Sequence, residues 1–163
     1  MSTVVGVFDD RSQAEKAVNE IRKAGITDDK ISIAAREEQV REKGRGDHEN
    51  GDMLRDNDMT TGATTGGTLG GLAGLLAGAG ALAIPGVGPI IAAGPIAAGL
   101  SGAAAGGLAG GLVDLGIPRE KGQEYEEEIK RGGLLAVVET DDNKVNDVAS
   151  YMKRNGARKV EKH

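Results

Sequence analysis

The chain has 163 residues, a formal net charge of −5, 27 glycines, no cysteine and no tryptophan. The missing cysteines exclude a disulfide framework, a thiol nucleophile and a thiolate metal site. The acidic balance and an aromatic inventory of only Phe8, Tyr125 and Tyr151 argue against nucleic acid as a partner, and against a wide ligand pocket or a membrane-interface belt.

Thr3 to Phe8 reads as a short buried strand with no basic leader before it, so no secretory signal is expected. Ser12 with Glu15 fits a capping box for a helix whose apolar face is Ala14, Ala17, Val18, Ile21 and Ala24. Gly25 is the expected residue just past its end. Ile31 and Ile33 alternate with polar neighbours over Lys30 to Ala35 and predict a second strand, completing a βαβ half over residues 1–35. Residues 36–58 are a charged, glycine-containing linker in which Glu37 to Lys43 has room for a helical turn or two.

From Met59 to Val113 there are 55 residues without one charged side chain. Gly62, Gly66, Gly70, Gly74 and Gly78 form one four-residue ladder, and Gly94, Ala98, Gly102, Gly106 and Gly110 form another. Positions four apart share a helix face, so each ladder predicts a flat groove suited to close helix approach. Leu72, Leu76, Leu100, Leu108 and Leu112 would pack around the grooves. Ile84-Pro-Gly-Val-Gly-Pro89 interrupts the run, which therefore reads as a glycine-zipper hairpin of two helices over 59–113.

In 114–163, Pro118 opens an exposed helix from Arg119 to Arg131. Leu134 to Thr140 is a third strand, and Asp141 or Asp142 caps a helix with Val145, Val148, Ala149 and Met152 on its apolar face. Asn155-Gly156 ends that helix, and Ala157 to Glu161 forms a final strand. Two βαβ halves predict an α+β ferredoxin-like sandwich, four antiparallel strands with two helices on one face, into which the linker and hairpin are inserted.

Gly6-Val-Phe-Asp-Asp-Arg11 with Ala14 and Ala17-Val18, Asp114-Leu-Gly-Ile-Pro118 leading to Tyr125-Glu-Glu-Glu128, and Arg131-Gly-Gly133 resemble the bacterial general stress protein family related to heat-induced stress proteins. The resemblance implies a stress-induced, cytoplasmic α/β protein. It carries no catalytic residue onto this chain.

The candidate chemistry is weak throughout. His48 and His163 read as solvated side chains and not as metal ligands. Asp9-Asp10 and Asp141-Asp142 sit where helix caps belong, and Glu126 to Glu128 cover a helix surface. Gly78-Ala-Gly-Ala-Leu-Ala83 fits a dinucleotide-binding pattern only in spelling, since no strand precedes it. No Gly-Lys-Ser or Gly-x-Ser-x-Gly motif occurs. The C-terminal cations Lys153, Arg154, Arg158, Lys159 and Lys162 read as a solvated face. The expectation is a non-enzymatic protein without cofactor or metal.

The hairpin has two possible settings. Buried in protein, its two packing faces would drive self-association into a homo-oligomer or filament. Buried in lipid, two helices of about 20 residues would cross a bilayer with both flanks on the cytoplasmic side. The first is favoured, because Met59 to Ala83 is mostly Gly, Ala and Thr and no aromatic residues mark the interfaces. A small-molecule-binding regulatory module is a third expectation.

Overall fold

The computed structural model describes residues 1–41, 80–84, 88–97 and 107–163. They form a mixed α+β fold in chain order β1 (Ser2–Phe8), α1 (Arg11–Lys23), β2 (Ile31–Arg36), α2 (Glu37–Arg41), β3 (Gly80–Ile84), β4 (Gly88–Ala93), α3 (Gly107–Val113), α4 (Arg119–Lys130), β5 (Leu134–Thr140), α5 (Val145–Arg154) and β6 (Lys159–Lys162). The strands make one sheet of order β3-β4-β2-β5-β1-β6 in which every neighbouring pair is antiparallel. β1 and β2 flank β5, and β5 and β6 flank β1, so α1 and α5 each connect two strands that run in the same direction one position apart.

The two βαβ halves lie where the apolar periodicity puts them. Val4, Phe8, Ile31, Ile33, Leu134, Ala136 and Val138 point to one face of the sheet, where α1 and α5 cover them with Val18, Ile21, Val148 and Met152. Gly25 and Gly156 follow the two helices with φ of 87° and 95°, the left-handed geometry that glycine adopts without a Cβ penalty. The caps differ from expectation. Asp10, not Ser12, caps α1, its carboxylate accepting from the Ser12 amide at 2.6 Å while Glu15 pairs with Arg11. Neither Asp141 nor Asp142 caps α5; Asp142 instead accepts from the Ser2 hydroxyl at 2.7 Å.

The opposite face is also covered. Val5, Val7, Ala34, Leu135 and Val137 join Ile90 and Ala92 of β4, Ile96, Leu108 and Leu112 of α3, Ile117, and Tyr125 and Ile129 of α4 in a second core. The helix from Arg119 to Lys130, expected to lie exposed, therefore has one buried face carrying Gly122, Tyr125 and Ile129. Glycine at 122 is required by the crossing with α3, since a Cβ there would sit 2.8 Å from Ala109 Cα. α3 and α4 thus approach closely at Gly122 and Ala109, neither of which belongs to the glycine ladders.

The expected helical hairpin is corrected where the structure describes it. Gly80–Ile84 and Gly88–Ala93 are strands that pair antiparallel, Ala83 opposite Pro89, and β4 pairs in turn with β2 from Ile33↔Ala93 to Arg36↔Ile90. Pro89 cannot donate inside a helix, and Pro95 disfavours helical geometry at residue 94, while Ile90-Ile91 suits a strand. Pro89 lies just past the last pairing with β2, where its missing N–H breaks no bond to that strand. Gly94 turns the chain with φ of 83°, and the Ser32 hydroxyl accepts from the Ile96 amide at 3.2 Å to hold the turn against β2.

Candidate functional site

Of the ladder and leucine positions, Gly62, Gly66, Gly70, Leu72, Gly74, Leu76, Gly78, Ala98, Leu100, Gly102 and Gly106 lie outside the described residues. Gly94 is the bend after β4, and Gly110 lies within α3. Leu108 and Leu112, expected around an oligomer interface, are fully buried in the second core of this same chain.

Two features of the remaining surface concern function. The first is the sheet's two ends. β6 closes one edge with Lys159, Glu161 and Lys162 among its four residues, the charges by which natural sheets discourage strand addition. β3 closes the other with the uncharged Gly80-Ala-Leu-Ala-Ile84 and, among the described residues, pairs only with β4. Ala83 on it is exposed. Pro89 has no N–H to offer Ala83, which fits a ladder whose bonds fall at Leu82 and Ile84 and whose Ala81 and Ala83 peptides face outward.

The second is a polar cluster where α4 meets β6. Lys159, Glu161 and His163 alternate along the strand and face α4, and the backbone of His163 exchanges two 2.8 Å hydrogen bonds with Thr3. The buried Tyr125 hydroxyl donates to Glu161 and lies 2.9 Å from His163 Nε2. Its single proton is committed to the carboxylate, so its oxygen accepts from an Nε2–H, which selects that tautomer of His163. Lys121 reaches Glu161 at 2.9 Å and Glu124 at 3.0 Å; Lys159 also pairs with Glu124 and stands 5.7 Å from the Tyr125 ring centre.

His163, expected to be solvated, is only 10% exposed in its side chain. The alternation Lys159-x-Glu161-x-His163 and the spacing Gly122, Tyr125, Ile129 were the sequence signals of this contact. Of the C-terminal cations, Lys153, Arg154, Arg158 and Lys162 are exposed as expected, and two of them make surface ion pairs, Arg154 with Glu20 at 2.7 Å and Arg158 with Asp9 at 3.1 Å.

Burial pushes the Tyr125 phenol well above its usual range, with the Glu161 charge adding to the effect. Burial pushes Glu161 up, but hydrogen bonds from Tyr125 and Lys121 and the nearby Lys159 outweigh it and hold the carboxyl at about 2. Burial lowers His163, against the pull of Glu161. A phenol and an imidazole both held neutral beside an ionised carboxylate form a structural clamp of β6 onto α4, with a definite pH signature. A folded-state pKa below the unfolded one means stability is lost as pH falls. The urea midpoint should therefore hold above about pH 7, decline as His163 takes a proton below its unfolded value near 6.5, and drop further between about pH 4.5 and 2. The share of the lower step owed to Glu161 is on the order of 3 kcal/mol before solvent screening, and Glu161→Gln should shrink the step while Glu20, Asp29, Glu124 and Asp142, whose carboxyls are also held low, keep the rest. A midpoint flat from pH 7 to 4 in wild type would contradict the buried imidazole.

Among the described residues no group of three or more His, Asp or Glu side chains is placed to hold a metal ion. None of the described helices is long and apolar enough to cross a membrane. Comparison with protein-family models, with curated proteins and with solved structures finds no match to this chain.

Proposed function

We propose that this chain is a non-enzymatic bacterial stress protein built on a ferredoxin-like sandwich, and that it self-associates through its uncharged segment by pairing β3 with β3 of a second copy. The strand order β2-β5-β1-β6 with helices α1 and α5 on one face supports the sandwich, and the family resemblance supports the stress role. The observation that carries self-association is the contrast between the two sheet edges. One is charged, the other is uncharged and continuous with a run that has no charge from Met59 to Val113. Antiparallel strand addition across a two-fold axis satisfies the outward peptides of both copies at once.

The bilayer reading is less well supported, for topological reasons. Residues 80–84 and 88–93 lie in strands and Gly107–Val113 lies in the core, so the second of the two spans has no room. A single span within 42–79 would place its ends on opposite sides of a membrane, whereas Arg41 and Gly80 both belong to elements of one sheet.

Sedimentation velocity of the full chain tests the proposal. Wild type should form a dimer or larger species at micromolar concentration, and Ala83→Pro should be monomeric with an unchanged melting temperature, because it removes an outward N–H and no bond of the ladder. A wild-type monomer across that range would end the self-association reading; unchanged association of Ala83→Pro would end the edge assignment.

A further inference from the structure

The strand that closes the charged edge of the sheet is held there mostly by polar side chains. Among the described residues β6 pairs with β1 alone, from Val4↔Lys162 to Val7↔Lys159. None of its four residues is fully buried, and Val160 is the one apolar side chain that it packs against a core. Its other holds are ionic or hydrogen-bonded: Lys159 to Glu124, Glu161 to Lys121 and Tyr125, and Lys162 to Asn146. Without β6 both cores keep every buried member, and the sheet keeps five strands. An edge strand held in this way is a unit that opens locally, ahead of the whole fold.

What β6 covers differs from it in kind, because β1 carries no charge from Ser2 to Phe8. Thr3 and His163 exchange backbone hydrogen bonds, so by antiparallel alternation the amides of Val5 and Val7 point to β6, and those of Val4 and Gly6 point to β5. Loss of β6 gives the sheet a second uncharged edge, at the opposite end from β3.

One group in this contact changes charge in mild acid. From α4 the His163 imidazole faces Tyr125 at 2.9 Å and the Lys121 ammonium; from its own strand it faces Glu161 at 4.0 Å and Lys159; β1 places the uncharged Thr3 beside it. A proton there makes a cation in a nearly buried space beside two lysines, while Glu161 is already engaged by Tyr125 and Lys121. Burial therefore holds the docked imidazole below its ordinary value, whereas a released one titrates near 6.5. Release takes up a proton and is favoured as pH falls below that value, by up to about tenfold per pH unit until the docked imidazole titrates as well. Glu161, held low, adds to this only below about pH 4.5.

We infer that β6 is an acid-released latch: protonation of His163 frees the strand from α4 and β1 while the rest of the fold stays intact, and the uncovered β1 edge accepts a second copy of the chain. The choice of occupant rests on the self-association proposed above. An uncovered β1 presents outward peptides on an uncharged strand as β3 does, so pairs already joined at β3 then extend at their other end.

Amide exchange followed by NMR tests the latch apart from self-association, in the Ala83→Pro chain or in wild type diluted below its association range. Protection of Val5 and Val7, corrected for the intrinsic exchange rate, should fall about five- to tenfold between pH 7.5 and 5.5 while Val4 and Gly6 hold. His163→Gln keeps a donor where the Nε2–H stood and does not titrate, so it should fold normally and show no such fall. Unchanged protection of Val5 and Val7, an equal fall at Val4 and Gly6, or the same fall in His163→Gln would each overturn the latch. Sedimentation velocity over the same pH range tests the occupant: wild type should form larger species at pH 5.5 than at 7.5, and His163→Gln should not. A wild type that releases β6 and keeps its size, or a His163→Gln that grows as much as wild type, would overturn a second copy as the partner of β1.

Discussion

Gly94→Ala should destabilise the protein by about 3 kcal/mol or more, a fall in melting temperature of roughly 10 °C for a chain of this size. Residue 94 has φ of 83°, and an added Cβ would overlap the Ile31 carbonyl oxygen while sitting 2.9 Å from Ser32 Cα and 3.0 Å from the Ile31 carbonyl carbon. Those atoms are backbone of β2 in the middle of the sheet and have nowhere to move. The prediction separates two structures for the uncharged run, because its sign reverses between them. In a helical zipper, alanine at this rung would favour the helix by about 1 kcal/mol and would barely widen the groove. Thermal or urea unfolding of the single variant decides it: a melting temperature at or above wild type would restore the helical ladder.

Leu112→Ala is the second large effect, expected at 2–5 kcal/mol. Leu112 is fully buried against the sheet with Leu108, Ile117, Tyr125 and Ile129, and the shortened side chain leaves a cavity that α3, only seven residues long, is poorly able to close. Were Leu112 part of an interface between copies, the same change would alter the sedimentation profile and leave the stability of the separated chain nearly intact. Denaturant unfolding at low protein concentration reads the first quantity without the second. Loss of less than about 1 kcal/mol would remove α3 from the core.

These two residues also mark where the sequence was informative. The βαβ halves were legible because strand, helix and stop signals agree locally: Leu134 to Thr140 is an apolar run of strand length, Val145, Val148, Ala149 and Met152 share a helix face, and Gly156 ends it. The second core was legible in part. Val4-Val5 and the unbroken Leu134-Leu-Ala-Val-Val138 have apolar residues on both faces of their strands, which signals a sheet covered on both sides. The four-residue glycine period drew the hairpin toward helix, although glycine favours neither helix nor strand and proline-flanked Ile90-Ile91 pointed the other way. The clamp of Tyr125, Glu161 and His163 joins residues 36 and 38 positions apart, and only the fold brings them together.

The most direct test of strand-to-strand self-association is amide hydrogen exchange at Ala81 and Ala83 of wild type, followed by NMR across the concentration range in which sedimentation changes. If β3 pairs with its counterpart, protection of these two amides rises with concentration while the β6 amides stay constant. Exchange at Ala81 and Ala83 that is indifferent to concentration, in a protein that still associates, would contradict pairing at this edge.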